Sequence, residues 1–114
     1  VIPALSWSPD GIYLAVGEIT SGSPGNDLFV YRYDRLLGSL VLVTSIAPGG
    51  YSSVFVRAVE WSPSGRYLAV GATLNGTSNN DLVLIYNFER STGQLKLVTS
   101  IFPNGSSGSD TVQT

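Results

Sequence analysis

With no histidine and no cysteine among its 114 residues, this chain can build chemistry only from carboxylates, hydroxyls, amides, guanidinium and amine groups and aromatic rings. That excludes the commonest general base, the Ser-His-Asp arrangement, imidazole and thiolate metal ligands, and any disulfide framework. Eight acidic residues remain, one or two per turn. Paired carboxylates for general acid–base work should recur between the copies or converge from distant runs, whereas Asp10 in one turn is answered by Ser64 in its counterpart. A solvated surface is the expected role of these acids. Residues 21–27 and 75–81 are rich in Asn, Gly, Ser and Asp, whose oxygens suit Ca²⁺. Each holds a single carboxylate, Asp27 or Asp81, without EF-hand spacing. An Asx-type turn in an exposed loop fits better, which leaves Asp27 and Asp81 as candidate surface contacts. No metal or cofactor is expected.

Other side chains carry equally modest signals. Lys96, the only lysine, alternates with Leu95 and Leu97; it reads as an edge-strand charge that discourages aggregation rather than as a Schiff-base amine. Tyr51 and Phe55 fall where the second copy has Ser106 and Asp110. They are the candidates for an exposed aromatic contact. Alternation places Arg57, Val59 and Trp61 on one strand face and Ala58, Glu60 and Ser62 on the other. Asn75-Gly76-Thr77 and Asn104-Gly105-Ser106 match a glycosylation sequon, relevant only on a secretory route. The same Asn-Gly pairs are ordinary turn formers.

The elements that must position these groups come in duplicate. ALSWSPDGIYLAVG at 4–17 returns as AVEWSPSGRYLAVG at 58–71, and LVLVTSI at 40–46 returns as LKLVTSI at 95–101. Allowing one inserted residue in the second copy, 25 of 47 positions from residue 4 to residue 50 are identical, so the chain is one unit written twice. In that alignment Asp27 matches Asp81, Tyr31 matches Tyr86 and Arg35 matches Arg90.

Each unit holds four runs of β-branched and aromatic residues. In the first copy these are 4–8, 12–17, 28–33 and 40–46; in the second, 54–62, 66–72, 82–88 and 95–101. Ser-Pro-Asp-Gly and Ser-Pro-Ser-Gly turns separate the first two runs, with Pro preset for φ near −65° and Gly free to take positive φ. Hairpin turns at 34–38 and 89–93 separate the last two. No helical apolar stripe persists, so essentially no helix is expected.

Four antiparallel strands in about 50 residues, repeated, describe a propeller blade. Residues 1–50 and 51–114 are expected to form one blade each, the second with a C-terminal connector. Trp-Ser-Pro-Asp-Gly-x-Tyr-Leu-Ala-Val-Gly resembles the first two strands of a WD-repeat blade. Tyr33-Asp34 and Phe88-Glu89 fall where that family carries its Trp-Asp pair. The Gly-His pair of those repeats is missing, so their buried His–Asp network cannot form here. The resemblance implies an all-β fold of two four-stranded antiparallel blades and a role in protein interaction. The interblade core is expected to hold Trp7, Trp61, Leu14, Leu68, Tyr33 and Phe88. Glu60, on the strand expected innermost, is the candidate channel-lining residue.

Two blades cannot close a ring, since closure takes four to eight. Because both copies are apolar, the faces that meet in the middle of the chain must lie bare at its ends. A homo-oligomeric ring follows, a trimer of six blades or a tetramer of eight, with a longer tandem array as the other route to closure. The termini would splice smoothly into the repeat, and Met is absent; both fit an excised, processed or designed piece. The expected function is a non-catalytic scaffold that binds itself and other proteins or peptides. The rival reading is a propeller lectin with one shallow sugar site per blade. A net charge of −2 predicts no affinity for nucleic acid or anionic membrane. No apolar run spans a bilayer and no signal peptide is visible, and a cytoplasmic setting is the expectation.

Overall fold

The turns organise each sheet. In the computed structural model, which describes residues 4–18, 27–48, 54–74 and 81–103, Gly11 and Gly65 sit at φ of +75° and +74°. Their N–H groups donate to the Ser8 and Ser62 carbonyls at 2.9 and 2.8 Å. The Ser8 hydroxyl accepts from the Tyr13 N–H at 2.9 Å and donates to the Asp10 carboxylate at 2.6 Å. In the second copy Ser62 and Ser64 make the same pattern with hydroxyls alone, the Arg66 N–H donating to Ser64 Oγ at 3.2 Å. Asp and Ser are thus interchangeable for closing this turn, because both offer an oxygen two residues before the N–H that needs it.

Eight strands follow from eight runs. They are β1 (Ala4–Trp7), β2 (Tyr13–Gly17), β3 (Leu28–Asp34), β4 (Ser39–Ile46), β5 (Val54–Trp61), β6 (Tyr67–Leu74), β7 (Asp81–Glu89) and β8 (Gln94–Ile101). Two four-stranded antiparallel sheets result, in orders β1-β2-β3-β4 and β5-β6-β7-β8. No α-helix occurs among the described residues. The fourth strand of each sheet carries a matching bulge, between Val30 and Tyr31 and between Ile85 and Tyr86 on the partner strand.

One register detail departs from the sequence alignment. Gly17 pairs with Leu28, but its repeat mate Gly71 pairs with Val83. The inserted residue therefore shifts β7 by one position, and the spatial counterpart of Asp27 is the buried Leu82, not Asp81. Another departure lies in β5, where the pairing skips from Val56 to Ala58. Arg57 is the bulged residue and is exposed. It does not share the buried face of Val59 and Trp61, because a bulge resets alternation.

The core lies between the two sheets. From sheet one it takes Ala15, Leu28 and Val30; from sheet two it takes Val59, Trp61, Leu68, Val70, Leu84, Tyr86 and Phe88, among others. Sheet one therefore buries its Ala15 face, while sheet two buries its Trp61 face. The two contacting faces are opposite faces of the same repeat. The sheets come close together at Gly17, where an added Cβ would collide with the Val56 side chain. The Val56 N–H also donates to the Glu18 carbonyl at 3.0 Å, a main-chain link between the sheets.

Candidate functional site

The joint between the sheets is built around Trp61. Its ring is 6% exposed and its indole N–H donates to the Ser6 carbonyl at 2.9 Å. Phe88 packs edge-on against Trp61 at 5.4 Å and edge-on against Tyr13 of the other sheet at 4.9 Å. At the rim, the Arg90 guanidinium lies 4.9 Å from the Tyr13 ring centre and pairs with the Asp10 carboxylate at 2.7 Å. Arg90 and then the Ser8 hydroxyl hold the Asp10 carboxyl down to about 2. An exposed pair of this kind contributes at most about 1 kcal/mol, so the apolar and aromatic contacts carry the joint.

Repetition leaves two complementary faces uncovered. On sheet one, Leu5, Trp7, Tyr33, Leu40 and Leu42 are exposed, Trp7 by 51%. Trp7 and Tyr33 meet edge-on at 5.9 Å and 75°, much as Trp61 and Phe88 do at 5.4 Å and 74°. On sheet two the opposite face carries a recess of about 270 Å³ lined by Glu60, Trp61, Pro63, Tyr67, Ala69 and Ile85. Exposed apolar faces rimmed by polar residues are candidate interaction surfaces.

The expected interblade core is therefore corrected within the single chain. Trp61, Leu68 and Phe88 are buried between the sheets. Trp7 and Tyr33 lie outside that core, on the uncovered face of sheet one. Leu14 lies there too, shielded by its cross-strand neighbours Trp7 and Tyr31 rather than by the other sheet. A single chain offers only one joint, so one copy of each repeated residue is left without a partner sheet.

The candidate contact residues scatter. Asp27 is half-buried and its Oδ2 is buried without a hydrogen-bond partner, so it is not a free surface carboxylate. Burial, with the nearby Glu18 charge second, pushes its carboxyl up. Asp81 is exposed and accepts from the Thr73 hydroxyl at 3.4 Å, while Arg57 Nε donates to the same hydroxyl at 3.0 Å. Phe55 is half-buried, with the Arg57 guanidinium 6.0 Å from its ring centre. Glu60 borders the recess on the open face of sheet two. Tyr51, most of both polar loops, both sequons and the 104–114 tail lie outside the described residues. Lys96 is exposed and stands 3.8 Å from Glu89.

A second cleft of about 460 Å³ opens at the turn end of sheet two, lined by Ser64, Arg66, Asn87, Phe88, Glu89 and Arg90 among others. Sequence reasoning did not single it out, because it assembles from two turns whose residues look like ordinary solvated loop. Among the described residues no cluster of three or more acidic side chains could hold a metal ion, and no helix is long and apolar enough to cross a membrane.

No protein-family model and no curated protein matches the chain. Solved structures do match. Sqt1 of Saccharomyces cerevisiae is similar with a TM-score of 0.57 at 19% identity, over 86% of this chain and 22% of Sqt1. A putative 6-phosphogluconolactonase from Bacteroides fragilis is similar with a TM-score of 0.54 at 24% identity, over 82% of this chain and 23% of that one. Both are β-propeller proteins, and the fold here is two blades of that class. The chain spans under a quarter of the length of these neighbours. At such identities the likeness establishes the fold alone.

Proposed function

We propose that this chain is a non-catalytic, WD-like propeller scaffold that completes a closed ring by head-to-tail association with copies of itself and serves as a protein-interaction module. The observation that carries this reading is the pair of uncovered faces, each the repeat mate of a face that is already buried inside the chain. A heterologous contact of this kind propagates, and it closes when the rotation per blade divides the circle. Six or eight blades correspond to three or four chains. The Sqt1-like fold supports the scaffold reading, and the likeness to a putative 6-phosphogluconolactonase makes assay of sugar-phosphate lactone hydrolysis a useful control.

Light scattering on a sizing column tests the proposal. A sharp species at three or four times 12.1 kDa supports ring closure. A chain that stays monomeric at every concentration removes self-association from the reading and leaves the two-blade fold.

A further inference from the structure

We infer that the recess on sheet two is a socket for the indole of Trp7 from a second copy of this chain, with the Glu60 carbonyl as its hydrogen-bond acceptor. The inference rests on the self-association reading and assigns its contact atoms. Inside the chain the same lock is already closed. Trp61 seats against sheet one, its N–H on the Ser6 carbonyl at 2.9 Å, with Phe88 edge-on to Tyr13. Every element of that lock has a repeat mate on an open face. Trp7 stands for Trp61 and Tyr33 for Phe88, and their edge-on geometry is already formed at 5.9 Å. On the receiving side Glu60 stands for Ser6, Tyr67 for Tyr13 and Ala69 for Ala15. Glu60 pairs across to Ala69 as Ser6 pairs across to Ala15, so both carbonyls hold one ladder position. Ala15 is fully buried beneath the second sheet, whereas Ala69 lines an open volume of about 270 Å³. The recess is the space that the next blade occupies at the internal joint.

The rim contact does not carry over. Inside the chain Arg90 pairs with Asp10 at 2.7 Å. Between chains the repeat mates are Arg35 and Ser64, so the ion pair has no equivalent. Ser64 closes its turn through its hydroxyl just as Asp10 does through its carboxylate, so Ser64→Asp is compatible with the backbone there. The joint between chains is thus the internal joint without its charged rim. It also has a direction, plug to socket, and cannot be isologous.

Sedimentation and light scattering of the purified chain over a dilution series test the assignment. Trp7→Ala removes the plug and should weaken association at least about 30-fold, as for a central interface anchor. Ala69→Arg fills the socket and should abolish association. Trp7 is half exposed and Ala69 faces the open recess, so both chains should fold as monomers. Mixing the two variants should restore one joint and only one, giving a 1:1 heterodimer that grows no further. Ser64→Asp should tighten association by up to about 5-fold, and Arg35→Ala added to it should cancel the gain.

Association of the unmodified chain that neither Trp7→Ala nor Ala69→Arg alters would overturn the socket while leaving self-assembly standing. A mixture that forms no heterodimer, or a Ser64→Asp gain that survives Arg35→Ala, would overturn the assigned register. An unmodified chain that stays monomeric throughout overturns the self-association reading and this inference with it.

Discussion

The indole N–H of Trp61 donates to the carbonyl of Ser6, 55 residues earlier, across the gap between the two sheets at 2.9 Å. Its repeat mate Trp7 has no such acceptor among the described residues and lies half exposed beside Tyr33. One residue type in one local sequence thus holds two energetic roles.

That asymmetry is measurable in the monomer. Trp61→Ala should cost about 3–5 kcal/mol, the usual range for emptying a large aromatic site in a core. Trp7→Ala should cost clearly less, about 1–2 kcal/mol, because Trp7 is half exposed and covers only its own-sheet neighbours. Urea denaturation at a concentration too low for association distinguishes them. Equal losses at the two positions would contradict the placement of the joint.

The paired glycines make the same point through volume. A Cβ on Gly17 would collide with Val56 and approach Val59 Cγ1 at 3.5 Å, while one on Gly71 meets only Ala58 Cβ at 3.8 Å. Gly17→Ala should destabilise the monomer by about 1–3 kcal/mol, the range for forced overpacking. Gly71→Ala should be close to neutral. Thermal melts of the two variants would show the contrast directly.

Acid should loosen the rim of the internal joint. The Asp10 carboxyl sits at about 2 in the folded chain against 3.8 when unperturbed, chiefly because of Arg90. A depressed acid contributes stability that is fully present above pH 3.8 and is lost as the pH falls towards about 2. Asp10→Ser, which copies the second turn, should remove that component of acid sensitivity and keep the turn. Because both partners are more than a third exposed, the effect at neutral pH should stay within about 1 kcal/mol. Denaturation midpoints across that pH window are the test, and added salt should shrink the difference.

Asp27 should behave in the opposite sense. Burial and then Glu18 raise its carboxyl, so the ionised form is disfavoured in the folded chain. The resulting cost is present above the folded value and vanishes as the pH falls below 3.8. Asp27→Asn should therefore raise the urea midpoint at pH 7 and have little effect at pH 3. A lower midpoint at pH 7 would show that the carboxylate has a stabilising partner.

The local alphabet of this fold is legible without coordinates. Ser-Pro-x-Gly demands a turn with a positive φ at its glycine, and Gly11 and Gly65 adopt it. The β-branched runs become strands whose ends lie within two residues of those the periodicity indicates, because strand pairing and turn closure are decided by near neighbours. The duplication itself is plain from Trp7 and Trp61 outward. The propeller class follows from four strands repeated.

What stayed hidden depends on which surfaces meet. Local sequence cannot tell Trp7 from Trp61, since both stand in the same Trp-Ser-Pro context. Burial is settled by chain order: the Ala15 face of the first sheet meets the Trp61 face of the second, and the mates of both are left bare. The bulge at Arg57 reversed an alternation that looked regular, and the inserted residue of β7 put Leu82 where Asp27 sits in the first sheet. Both depend on hydrogen-bond register between strands. Side-chain types along a single strand determine which residues can be buried, and only the packing of two whole sheets decides which of them are.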